Sequence, residues 1–268
     1  MKIVWVSSYP RSGNTWVRFL LHAYLHGPIG ASIEVARSIP NLHRPVEINP
    51  ALQAAKAGDR LLIKTHGLPG PTHPLVDKAA AFIYIIRHPK DVLLSGINIH
   101  RRSGAQVDEK AYARSFIERG GDMLWHRFGF GFWESHADAW IGNEPGSGAS
   151  RWPHVIVRYE DLISDATRPL EAMARLLGES PTAERLAKAA TDASFERMRE
   201  LEEADRAKPL GEGIFLKPPE KPVKSQGAEG KNFVNKGKSG QSLAHIDPAL
   251  DAMFDERFGP GLRKYGYA

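Results

Sequence analysis

Three short segments of the chain carry cations, hydroxyls and an imidazole at spacings that could hold an anion and move a proton. The first, Ser8-Tyr9-Pro10-Arg11-Ser12-Gly13-Asn14-Thr15-Trp16, follows an apolar run from Lys2 to Val6 and leads into a helical pattern from Val17 to Leu25. Strand, tight loop and helix in that order aim several backbone N–H groups and the positive end of a helix dipole at one point, which suits phosphate or sulfate. Against the triphosphate pattern G-x-x-x-x-G-K-[ST], the segment keeps Gly13 and Thr15 but has Ser8 for the first glycine and Asn14 for the lysine. Its cation is Arg11. Without the lysine that reaches the outer phosphates, ordinary kinase chemistry is disfavoured. The second segment, Lys64-Thr65-His66, pairs a fixed cation with an imidazole, whose ordinary pKa of about 6.5 suits a general base. The third, Arg87-His88-Pro89-Lys90-Asp91 with Ser95 one turn into the next helix, offers a guanidinium fork and a hydroxyl to a second anion. An Arg-Asp helix cap is the plainer alternative there.

For these residues to meet, the elements that carry them must end at one edge. Short apolar runs at Arg60 to Lys64, Ala81 to Ile86 and His154 to Arg158 read as buried parallel strands. Helical patterns span roughly Pro89 to His100, Glu109 to Arg119, Phe132 to Ile141, Ala166 to Leu177, Thr182 to Thr191 and Asp247 to Phe258. This alternation predicts a single α/β domain over residues 1–268, with a central parallel β-sheet flanked by helices and a P-loop-like anion loop. Ligands of such sheets bind at the carboxyl ends of the strands, where all three segments fall. After the fourth strand, Tyr159 offers a ring and hydroxyl to a purine or is an ordinary core tyrosine. Ser194-Phe195 with Met198 one turn on lines a base pocket or forms a plain amphipathic face.

At 268 residues and 42% apolar the chain supports one large domain with a well-buried core. The absence of cysteine excludes disulfides, thiolate metal sites and cysteine nucleophiles. No apolar run approaches the length of about eighteen residues that a membrane helix needs, and the N-terminal run is short for a signal peptide, so a cytoplasmic address is expected. The net charge of +5 equals the surplus between Arg206 and Lys238, where eight basic residues face three acidic ones among prolines and glycines. Residues of about 206–240 are thus a basic loop, either a solvated surface or a lid over an anionic ligand. The aromatic stretch from Leu124 to Trp133 lines an acceptor mouth or is core, and His100, His126 and His136 are further candidates to face an acceptor. Three functions stay open on the residues alone: a transferase using an anionic donor, a P-loop kinase of a small molecule, and a non-catalytic binder of an adenine nucleotide or polyanion. Nucleic acid is not an expected partner, because few aromatics accompany the basic residues.

Taken in order along nearly the whole chain, the segments resemble the cytosolic-type sulfotransferases that use 3′-phosphoadenosine 5′-phosphosulfate (PAPS). The resemblance implies transfer of a sulfuryl group from PAPS to a hydroxyl or amine of a small-molecule acceptor, leaving adenosine 3′,5′-bisphosphate (PAP), with no metal required. It implies His66 as general base, with Arg11 and Lys64 offsetting developing charge. Tyr9, Pro10, Arg11, Ser12, Gly13, Asn14 and Thr15 then hold the 5′-phosphosulfate. Trp16, Tyr159, Ser194, Phe195 and Met198 surround the adenine, while Arg87, Ser95, Asn235, Lys236 and Gly237 take the 3′-phosphate. The chain departs from the family pattern in three places. Arg11 stands where a lysine is usual, Asn235-Lys236-Gly237 replaces Arg-Lys-Gly, and the family's C-terminal dimerisation pattern does not occur after Gly240.

Overall fold

Four short apolar runs build one sheet, which the computed structural model shows to be wholly parallel. The structure describes residues 1–103, 105–142, 151–208, 213–215 and 239–267. The strands are β1 (Lys2–Ser8), β2 (Arg60–Thr65), β3 (Ala79–Ile86) and β4 (His154–Arg158), in the order β2-β1-β3-β4. Side chains of successive residues leave a strand on opposite faces. Val4, Val6, Ile83 and Ile85 therefore enter one core layer, and Ile3, Trp5, Phe82, Tyr84 and Ile86 the other.

Helices cover both layers, as parallel crossovers require. Between β1 and β2 lie α1 (Asn14–His26), α2 (Ser32–Ser38) and α3 (Pro45–Ala54). Between β3 and β4 lie α4 (Pro89–Arg102), α5 (Glu109–Arg119), α6 (Met123–Arg127) and α7 (Trp133–Ile141). After β4 come α8 (Tyr159–Ser164), α9 (Thr167–Leu176), α10 (Ala183–Asp192), α11 (Phe195–Arg206) and α12 (Ala249–Lys264). α1 packs with α9 and α10 over the first layer, whereas α4, α5, α7 and α12 close the second around Trp133, Trp140, Phe254 and Phe258. From β1 the chain passes to β2 on one side and then returns to β3 on the other. The carboxyl ends of β1 and β3 thus flank the crevice where ligands of open α/β sheets bind.

The strands and the predicted helices fall close to their expected places, whereas α3, ten residues with Pro50 inside it, is not among the predicted spans. α12 runs past Pro260, against the expected end at Phe258, because Leu262 is buried and keeps the next turn on the core. The basic segment also differs from a loop at its start: Arg206 closes α11, and Ile214 and Phe215 are buried, Phe215 against Phe19. Ser32 bonds Asp205 and receives the Ile214 N–H at 3.0 Å, which pins this end. Asp91 pins the other, accepting from Gly240 N at 3.0 Å and from the Gln241 side chain at 3.2 Å. Residues 216–238, with Asn235, Lys236 and Gly237, lie outside the described residues.

Candidate active site

The loop between β1 and α1 is held in a conformation that only certain residues allow. Gly13 has φ +100°, and a Cβ there would stand 2.4 Å from Cδ2 of Tyr159, so glycine is required twice over. Arg11 takes φ +69°, an uncommon setting for a residue with a side chain. Its carbonyl accepts from Arg87 Nη1 at 3.2 Å, and its Nε donates to Ser95 Oγ at 3.0 Å. Two residues of the segment after β3 thereby fix the loop's cation. Asn14 closes the base of the loop, its amide donating to Val6 O at 3.0 Å and Ser8 Oγ at 3.3 Å. The first turn of α1 carries no acidic residue and no side-chain cap, so its N–H groups keep their positive field. Ser12 Oγ is buried and lacks a hydrogen-bond partner among the described residues. Tyr9 differs from the expected anion contact: its ring is 1% exposed, and its hydroxyl accepts the Asp122 N–H at 2.9 Å.

His66 stands at the end of β2, beside the start of this loop. Its Nδ1 donates to the carbonyl of Ser8 at 2.7 Å, with Ser8 Oγ at 3.4 Å. That bond fixes the tautomer and leaves the lone pair on Nε2, which has no partner among the described residues. Burial pushes the ring well below its ordinary pKa, and Lys64 adds to the effect. The His66 peptide is gripped at both ends: its N–H donates to His43 Nε2 at 3.1 Å, and its carbonyl accepts from His136 Nε2 at 3.0 Å. Tyr84 Oη in turn donates to His136 Nδ1 at 2.8 Å. His136 is fully buried and held neutral by that burial, its pKa lowered to about 4. It is thus a positioning residue and not one that faces an acceptor. His43 gave no signal in the sequence, since no periodicity or strand end marks it.

Lys64 points to the α1 side of the sheet. Its Nζ donates to Asn41 Oδ1 at 3.3 Å, and Asn41 is placed by a short bridge of residues 40–42 onto β2. Behind it, Glu47 accepts from Arg18 at 3.0 Å in a buried ion pair and from Asn41 N at 2.9 Å. Burial first, then Arg18 and Arg44, lower Lys64 from 10.5 to about 7.

The third segment joins the first. Arg87 lies over the Tyr159 ring at 4.2 Å, and its carbonyl accepts from Trp133 Nε1 at 3.0 Å. Burial, then repulsion from Arg87, bring Arg11 down to about 10. Asp91 does not cap Arg87; it holds Gly240 and Gln241 instead. On the α1 side, Trp16 packs on Phe195 (ring centroids 4.4 Å apart) and edge-on to Tyr159 at 5.9 Å. Its indole N–H donates to Ala193 O at 3.0 Å. Ser194 caps α11 by accepting from Arg197 N at 3.2 Å, and Met198 is buried in the same layer. The aromatic stretch divides between two roles. Trp133 is core, whereas Phe130 lies 5.7 Å from the His66 ring and 4.9 Å from His43, with Phe128 exposed beside it. His126 is exposed and stacks on Phe132 at 4.2 Å. Among the described residues no helix is long and apolar enough to cross a membrane.

A family profile described as "Sulfotransferase domain" matches residues 2–266. The chain is 25% identical over 260 residues to "Sulfotransferase 1E1" of Mus musculus, covering 94% of this chain and 81% of that protein. Among solved structures it resembles retinol dehydratase in complex with androsterone and inactive cofactor PAP, at a TM-score of 0.65 and 18% identity over 98% of this chain and 81% of that one. Mouse sulfotransferase SULT7A1 complexed with PAP gives a TM-score of 0.63 at 18% identity over 99% and 88% of the two chains.

Proposed function

The chain belongs to the sulfotransferase family, and from that premise we propose that it uses PAPS to move a sulfuryl group onto a hydroxyl or amine of a small apolar acceptor with His66 as general base. The observation that carries this reading is the tautomer of His66. With Nδ1–H committed to Ser8 O at 2.7 Å, Nε2 is the basic atom at the rim of the anion loop.

The residues present fit the donor. Ser12 Oγ is buried without a hydrogen-bond partner among the described residues. No carboxylate occupies the first turn of α1, and Arg11 and Arg87 are near enough to depress the pKa of Arg11. Cations gathered in this way suit an anionic ligand. The loop from Pro10 to Thr15 would hold the 5′-phosphosulfate, with Tyr9 as its buried strut. Arg87 and Ser95 would serve the 3′-phosphate, and Trp16, Tyr159 and Phe195 the adenine with Ser194 and Met198 behind them. When bound, PAPS supplies the sulfuryl group.

His66 Nε2 takes the proton of the acceptor, and the Ser8 carbonyl stabilises the imidazolium that forms. Arg11 and Lys64 offset negative charge as it shifts, work that preorganised cations do without moving. A bound anion also raises His66 from its depressed value toward the range in which an imidazole is an effective base. Phe130, Phe128 and Trp125 beside this site favour an acceptor with an apolar body, in keeping with the androsterone of the retinol dehydratase complex. Calorimetric titration with PAP, followed by PAPS turnover over phenols, sugars, amines and lipid alcohols with a chelator present, tests the reading. PAP binding with turnover of a phenol or lipid alcohol is expected. Failure to bind PAP overturns it.

A further inference from the structure

A cleft of about 400 Å³ opens beside the C-terminal half of α4, walled by α5 and by the turn into α6. His100, Tyr112 and Asp122 stand together on its lining. Asp122 has a side chain only 4% exposed, and among the described residues its carboxylate is bonded only by donors of the protein. Oδ2 accepts from His100 Nε2 at 2.8 Å and from the Tyr112 hydroxyl at 2.6 Å, while Oδ1 accepts from Leu124 N at 2.7 Å. Its own N–H donates to the hydroxyl of Tyr9, so the cleft wall is tied to the anion loop. Because Nε2 of His100 is the donor, the neutral ring carries its lone pair on Nδ1, which has no partner among the described residues. The Tyr112 proton is already given to Asp122. What the polar wall offers a ligand is therefore an acceptor, backed by a buried carboxylate that holds the imidazole in one tautomer.

A run of rings connects this wall to the proposed base. The His100 ring is 6.3 Å from Trp125, Trp125 is 6.5 Å from Phe130, and Phe130 is 5.7 Å from His66. The first two pairs are stacked, and Trp125 and Phe130, outside the lining of the cleft itself, form an apolar flank between two imidazoles whose free nitrogens are Nε2 at one end and Nδ1 at the other.

We propose that the acceptor lies along this flank and that His100 Nδ1 receives a hydrogen bond from a second hydroxyl at its far end, so that the enzyme selects apolar alcohols or phenols carrying a hydroxyl at both ends. The proposal rests on the reading that transfer occurs at His66. An unsubstituted far end would bury the His100 lone pair without a partner, and that difference discriminates between ligands of equal shape.

The test compares phenols bearing an alkyl chain of one to six methylenes that ends in either a hydroxyl or a methyl group, with PAPS as donor at pH 8. At the chain length that reaches His100, the hydroxyl series is expected to have a kcat/KM roughly three- to tenfold above its methyl counterpart, expressed in KM. His100→Phe brings that ratio to about one. His100→Gln keeps an N–H for Asp122 and a carbonyl for the ligand, and restores most of the ratio. PAP titration of each variant reports whether the fold is intact. A wild type that shows no preference at any length, or a His100→Phe variant that keeps the preference, overturns the proposal. Sulfation of none of the phenols by an enzyme that binds PAP overturns it as well, whereas loss of PAP binding by the wild type takes down the donor reading on which it rests.

Discussion

Replacing Lys64 with methionine separates what this residue contributes to the chemistry from what it costs the fold. The ammonium is buried, 9% exposed, and its pKa is lowered from 10.5 to about 7 by that burial and by Arg18 and Arg44. At 1.36 kcal/mol per unit, holding the charged form in the folded chain costs about 5 kcal/mol. The sign follows from proton counts. Between pH 7 and 10.5 the unfolded chain binds the proton and the folded chain does not, so this residue makes stability rise with pH across that window. Below pH 7 both states are charged and the full cost is present. Lys64→Met removes it, and Asn41 Oδ1 keeps a donor because His43 N lies 3.1 Å away. The variant should therefore be more stable than wild type at pH 6, by about 2–5 kcal/mol in urea denaturation, with a margin that shrinks by about 1.4 kcal/mol per unit above pH 7. Turnover should move the other way. A cation lost from the charge-stabilising set costs about 10²–10³-fold, and the fall in wild-type kcat/KM above pH 7 should be missing in the variant. A margin below about 1 kcal/mol at pH 6, or one equally large at pH 10, refutes the assignment of a strained buried ammonium.

Three further substitutions probe the site. His66→Ala should lower turnover about 10²–10⁴-fold while PAP affinity in calorimetry stays within a few-fold, and unchanged turnover would remove His66 as the base. Arg87→Ala takes away both the grip on the Arg11 carbonyl and the cation over Tyr159, so discrimination between PAP and 5′-AMP should collapse; a variant that still separates the two ligands as wild type does would end the 3′-phosphate role. Gly13→Ala forces a left-handed setting on alanine, which costs about 1–2 kcal/mol, and drives its Cβ into Tyr159. PAP affinity should drop at least about tenfold, and an unaffected titration would mean that the loop is not where the nucleotide sits.

The fold was largely legible because its evidence is local. Four short apolar runs, each followed by a turn or helix signal, are enough to specify a parallel sheet, and β4 matches its expected limits to the residue. The short helices α2 and α6 were not legible, since seven and five residues span too few turns for a hydrophobic period to repeat. In the site, strand ends pointed to Arg11, Lys64, His66 and Arg87. What they could not reveal is which side chains hold these four. His43 and His136 reach the two ends of the His66 peptide from 23 and 70 residues away; no repeating pattern marks His43, and the helical period that puts His136 on the buried face of α7 does not say what it holds. Tyr9 is a related case: its place in the loop suggests an anion contact, and its hydroxyl accepts the N–H of Asp122, 113 residues on.

The same long-range supports explain how an arginine can serve in a loop where lysine is usual in the family it resembles. A lysine ammonium is a point charge on a flexible stem, but a guanidinium must be aimed. Ser95 fixes Nε of Arg11, and Arg87 fixes its carbonyl, so the planar group is oriented from the far side of the crevice. Both contacts come from the element after β3, and Arg87 is itself set by Tyr159 and by the Trp133 indole beneath its carbonyl. Tyr159 in turn occupies the space that the missing Cβ of Gly13 leaves. The uncommon backbone setting at Arg11 is thus over-determined by three segments and is kept at a cost of about 1 kcal/mol that the loop's own residues would not sustain. In this arrangement Arg87 and Ser95 hold Arg11 from the far side of the crevice, which joins the first and third sequence segments into one cluster.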